Sequence, residues 1–126
     1  MLNAPIWMKL TEEQCKLLGS PSDETFNWMV EAHRNMLAHR CLDAAATKWM
    51  TQLEEMILDG KKLLARANRD TLAAQSRLGS LVTEAHAFVD AVSAQIQEEA
   101  TERCIFELPK TQAVIDRFRS DLGEYQ

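Results

Sequence analysis

Between Pro21 and Pro109 the chain runs for 87 residues without a proline. Proline removes a backbone donor and collides with the preceding helical turn. Its absence over so long a stretch, with Gly60 and Gly79 as the only glycines there, leaves helices uninterrupted. Alanine is frequent, β-branched residues are few, and no segment alternates as a strand would. The 126 residues amount to one domain, and 46% hydrophobic against 26% charged residues is a globular balance rather than a disordered one.

Boundary signals divide the chain. Residues 1–20 read as an arm with a short helix. Thr11 and Gln14 form a capping box, Leu10 and Cys15 take the staple positions, and Gly19 closes the helix. Ser20 and Pro21 then open a long helix over 21–67, with Asp23 and Glu24 at its positive end. Two columns of residues seven apart line this helix. One is Trp28, Asn35, Leu42, Trp49, Met56 and Leu63; the other is Met29, Met36, Asp43, Met50, Ile57 and Leu64. Asp43 interrupts its column and can cap a local break.

The next turn has two candidate places, Asp59-Gly60 or Asn68-Arg69-Asp70, the second slightly favoured; a short helix between two breaks is the other alternative. A second long helix over 71–104 follows, with Leu78, Val82, Ala85, Val89, Val92 and Ile96 as a heptad seam widened by Leu81 and Phe88. Leu108-Pro109 breaks it, and a short helix over 109–122 carries Ile115, Phe118 and Leu122. The expected fold is all-α and a single domain: two long antiparallel amphipathic helices, as a coiled-coil-like hairpin or bundle, with short flanking helices. Two helices alone leave one side of each stripe wet, so a dimer or larger assembly is expected.

The net charge is −5, which disfavours nucleic acid as a partner because phosphate contacts need excess positive charge. Charge is segregated nonetheless. Residues 61–79 hold Lys61, Lys62, Arg66, Arg69 and Arg77 against Asp70 alone. Such a stretch is a solvated face, a complement to a helix C-terminus, or a patch (Lys61, Lys62, Arg66, Arg69) for an anion or acidic partner. The N-terminus lacks the pattern of a secretory signal, and no apolar run is long enough for a transmembrane segment. Cys15, Cys41 and Cys104 are odd in number and form no CxxC, which points to buried or half-buried thiols in a reducing, cytoplasmic compartment.

Motifs for chemistry are missing. None of His33, His39 and His86 has Glu three residues before it, as a di-iron bundle requires, and His39 and Cys41 point to different helix sides. His86 reaches Asp90 at i,i+4, with Glu84 nearby, but no nucleophile accompanies them; the pair reads as a surface contact. No phosphate loop, nucleophile elbow or HExxH occurs. No enzyme activity, metal or cofactor is expected. The feature that stands out is the Trp/Met stripe of Trp28, Met29, Met36, Trp49 and Met50, read either as bundle core or subunit seam, or as a face for an external apolar surface.

The segment LARANRDTLAAQSRLGSLVTEAHAFVDAVSAQIQEEATE (64–102) resembles part of a phasin domain: an Asp-containing break, then Leu72-Ala-Ala-Gln75 opening a long Ala-rich amphipathic helix. The upstream FNWMVEAHRNML stands where that family has its first long helix, and Arg69-Asp70-Thr71 stands where the family often has a proline. The resemblance implies a non-catalytic protein that coats polyhydroxyalkanoate storage granules through amphipathic helices. The reading of another class is a soluble helical adaptor, chaperone or inhibitor that docks a partner protein.

Overall fold

The computed structural model describes Trp7, Met8 and residues 22–67 and 72–123. The expected N-terminal helix with its Thr11 cap, Cys15, and the Asn68-Arg69-Asp70 turn lie outside these residues. The described chain is helical throughout: α1 (Ser22–Ala38), α2 (Leu42–Ala67), α3 (Leu72–Glu102) and α4 (Pro109–Leu122), with no strand among the described residues.

The single helix expected over 21–67 is two helices. The chain leaves helical geometry at His39-Arg40-Cys41, and three local features and one distant one hold the break. The His39 N–H turns back to the Met36 carbonyl at 3.3 Å. The Cys41 N–H donates to His39 Nδ1 at 3.0 Å, and the Cys41 carbonyl accepts the first bond of α2 from the Ala45 N–H at 3.2 Å. The last carbonyls of any helix lack intrahelical donors. Here the Arg103 guanidinium supplies them, donating to His39 O at 2.6 Å, Leu37 O at 2.7 Å and Met36 O at 3.2 Å. Glu99 holds that guanidinium through its Nε at 2.7 Å. At the other possible turn, Asp59-Gly60, α2 continues without interruption.

The C-terminal helix is not a loose flank. It lies along α2 and α3 and is fastened to both. Pro109 at its first position needs no donor partner, and Leu108 before it offers no side-chain cap. The cap comes from α2 instead: Asp43 accepts the N–H of Thr111 at 2.8 Å, that of Lys110 at 3.2 Å, and the Thr111 hydroxyl at 2.7 Å. Midway, Arg117 grips the buried Glu54 carboxylate with two bonds of 2.6 and 3.0 Å, and Arg119 pairs with Asp90 at 2.6 Å. At the far end Lys61 Nζ donates to Leu122 O at 2.6 Å and Asp121 O at 3.2 Å, while His86 Nε2 meets Gly123 O at 2.8 Å. Rising positions of α4 meet rising positions of α2 and falling positions of α3, so α4 runs with the first and against the second.

The core follows from these tracks. Val82, Ala85, Val89, Val92 and Ile96 of the heptad seam are buried, as are Leu81 and Phe88; Leu78 is half-buried. From α4, Val114, Ile115, Phe118 and Leu122 complete the core. The apolar area that two helices alone would leave wet is covered in large part by α1 and α4 of the same chain.

Candidate functional site

The Trp/Met stripe divides between core and surface. Met29, Met36, Trp49 and Met50 are buried, and Trp28 is half-buried. The break at 39–41 resets the helical phase, so the two seven-residue columns do not stay on one wet face. Asn35 and Leu63 of the first column reach solvent, and Met29, Met36, Met50 and Ile57 of the second turn inward.

Trp49 packs in an aromatic cluster. Its ring stands edge-on to Trp7 with centroids 5.8 Å apart, and His33 lies 5.3 Å from Trp7 and 5.6 Å from Trp49. His33 Nε2 and Trp49 Nε1 are buried without a hydrogen-bond partner among the described residues. Burial pushes the His33 pKa below its ordinary value, and the Glu99 charge opposes this only in part. A neutral imidazole suits that position, since a buried charge lacking a partner is costly.

On the outer side of α1 and α2 lies an open groove of about 710 Å³. Trp28 walls it, Ala32, Ala44 and Ala45 form a low floor, and Asn35 and Lys48 give polar edges. Small side chains of this kind let another backbone approach closely, and a half-wet indole offers a large apolar contact with a polar handle. A smaller hollow of about 370 Å³ sits beside the α3–α4 connection, next to Phe106, which is 89% exposed.

The basic residues separate into two groups. Lys61 caps the C-terminus of α4 and belongs to the fold, in the role of a cation at a helix end. Lys62 and Arg66 are exposed on the last turns of α2, and Arg77 is exposed on α3. Arg69 lies outside the described residues. His86 and Asp90 do not form the expected pair: each holds α4 separately, through Gly123 and Arg119.

Cys41 and Cys104 are exposed free thiols, not buried ones as the sequence suggested. Both fall at helix boundaries, Cys41 just before α2 and Cys104 just after α3. Among the described residues no three His, Cys, Asp or Glu side chains converge as a metal-binding set. No described helix is long and apolar enough to cross a membrane. Arg103, which closes the α1–α2 break, and Thr111 and Glu54, which fasten α4, were not singled out from sequence; only the Glu99–Arg103 spacing of four was visible there.

No family model, curated protein or solved structure matches the chain. Fold and surface define an all-helical protein whose apolar stripe is largely spent on its own core and whose open groove lies over the α1–α2 break.

Proposed function

We propose that the chain is a non-enzymatic, cytoplasmic helical adaptor that docks a partner protein in the α1–α2 groove. The observation that carries this reading is the groove itself, with an alanine floor, a half-wet Trp28 wall and a size suited to side chains of an incoming helix. Burial of most of the stripe supports it, because a face locked into the core is not free to spread on a surface. A photo-crosslinking residue at Asn35 tests it in the native cell. A single adduct of defined mass is expected, absent when the groove carries Ala44→Arg and absent from a crosslinker at exposed Glu98. Equal labelling from positions 35 and 98 overturns the reading.

The phasin-like reading, a coat on an apolar granule, is favoured by one observation: Trp28 is half-buried and Leu37 is 44% exposed, both on α1. In that reading α1 swings off the core and presents the stripe, and lateral contacts make a dimer or larger. On polyhydroxyalkanoate particles the tryptophan fluorescence then shifts to the blue, and sedimentation of the free protein gives a mass above 14.3 kDa. Protein that ignores the particles leaves the adaptor reading in place.

A further inference from the structure

The fastening of α4 defines where the covered body stops. Its C-terminal carbonyls are held by Lys61 of α2 and His86 of α3. Beyond those residues, no described side chain of 62–67 or 72–80 is buried. Two of the most exposed large apolar side chains sit there, Leu63 at 63% and Leu72 at 84%. The end is therefore a projecting pair of helix ends with leucines in water.

Its charge differs from the rest of the molecule. Lys62 and Arg66, one helical turn apart, flank Leu63 on α2, and both are exposed. Among the described residues of 62–80 the charged side chains are Lys62, Arg66 and Arg77, all cationic and exposed, in a chain of net charge −5. The molecule is bipolar, with a basic, leucine-bearing end and an acidic body.

We propose that this end docks on an anionic lipid surface, the cations on the headgroups and the leucines at the acyl boundary. Both kinds of group are needed to read such a surface. The same end of a second copy is a poor occupant, because pairing the ends brings like charges together; a copy docked on its acidic body would show as a dimer in sedimentation. The acidic body is repelled from the same surface, which sets the orientation: end down, groove outward. This site lies apart from the α1–α2 groove and adds to the adaptor reading a place where the adaptor is held.

Vesicle flotation with the full chain tests it. Phosphatidylcholine vesicles containing about a third phosphatidylglycerol should carry the protein at low salt, pure phosphatidylcholine should not, and high salt should release it. Lys62→Glu with Arg66→Glu should weaken binding by at least roughly 30-fold, as expected for two cations at an anionic surface. Leu63→Ser with Leu72→Ser should weaken it too. All four positions are exposed, and unchanged circular dichroism verifies the fold of each variant. Equal binding to both vesicle types overturns the proposal, as does failure of the wild-type chain to float. Retention on heparin that needs the cations but not the leucines would mean a site for a soluble polyanion, and also overturns it. So does a dimer in sedimentation that the leucine variant dissolves. Ala44→Arg should float like the wild type, so failure in the groove and failure at this end are read separately.

Discussion

Cys104 is the described non-glycine residue with positive φ, at 57°. It ends α3 in a Schellman arrangement: its N–H meets Thr101 O at 3.1 Å, and the Ile105 N–H meets Ala100 O at 2.8 Å. That position is the one where glycine avoids the Cβ clash of the left-handed region. Cys104→Gly should therefore raise stability by about 0.5–1 kcal/mol, read as a higher melting temperature. A second residue-scale outcome concerns acid. Folded His33 has its pKa depressed, while the unfolded chain titrates near 6.5. As pH falls below 6.5 the unfolded state takes up the proton first, so stability declines toward the folded pKa. Asp43 acts in the same direction at lower pH. Burial raises its pKa, but the bonds from Thr111 and Lys110, with the Lys110 charge, outweigh this and leave it below 3.8. Its stabilisation is present above 3.8 and is lost as pH falls through the folded value. Urea melts between about pH 7 and about pH 5 isolate the histidine, and His33→Phe should flatten their slope.

At the scale of elements, what could be read from the sequence was what depends on neighbours in the chain. The α3 seam needs only the spacing of Val82, Ala85, Val89, Val92 and Ile96, and all five are buried. Helical character needs only the missing prolines. A local break near Asp43 was legible, but not that it would divide the helix in two at 39–41, because its carbonyls are satisfied by Arg103, more than sixty positions away. Asp43 was legible as a cap, but for the wrong helix; it serves α4, sixty-eight positions on. The groove was not legible either, since it exists only because the break folds α1 against α2. Arg103→Met should cost about 2 kcal/mol by removing the donor to the Leu37 and His39 carbonyls and one of two donors to Met36 O, and should show as faster amide exchange in the last turn of α1. Asp43→Ala should cost about 1–2 kcal/mol, in the range of an N-cap loss, and melt α4 first.

For the whole molecule, the two tryptophans of the stripe should behave differently. Trp49 is 1% exposed within the Trp7–His33 cluster, so Trp49→Ser opens a cavity and should cost about 3–5 kcal/mol, enough to unfold a marginal domain. Trp28→Ser removes a half-buried ring of the groove wall that only partly packs on the core, and should lower the melting temperature distinctly less. Equal losses from the two, measured by thermal circular dichroism, would mean that α1 does not lie as described. Along α3, Val89→Asp buries a charge and should disrupt the fold far more than Glu99→Ala, which removes the ion pair that holds Arg103 at the α1 carbonyls.

Helix α4 also sets the order in which the molecule can be made. Its fastenings to α2 join residues about sixty to seventy positions apart, from Asp43 with Thr111 to Lys61 with Leu122. During synthesis the first three helices emerge while Glu54, Lys61 and Asp90 still await their partners on α4. A nascent chain stopped at residue 108 should thus be open to protease and attractive to chaperones, and one extended past Gly123 should resist cleavage abruptly. The fourth helix acts as a clasp that closes last, and until it does, the Glu54 carboxylate and the Lys61 ammonium stand without the partners they hold in the finished molecule.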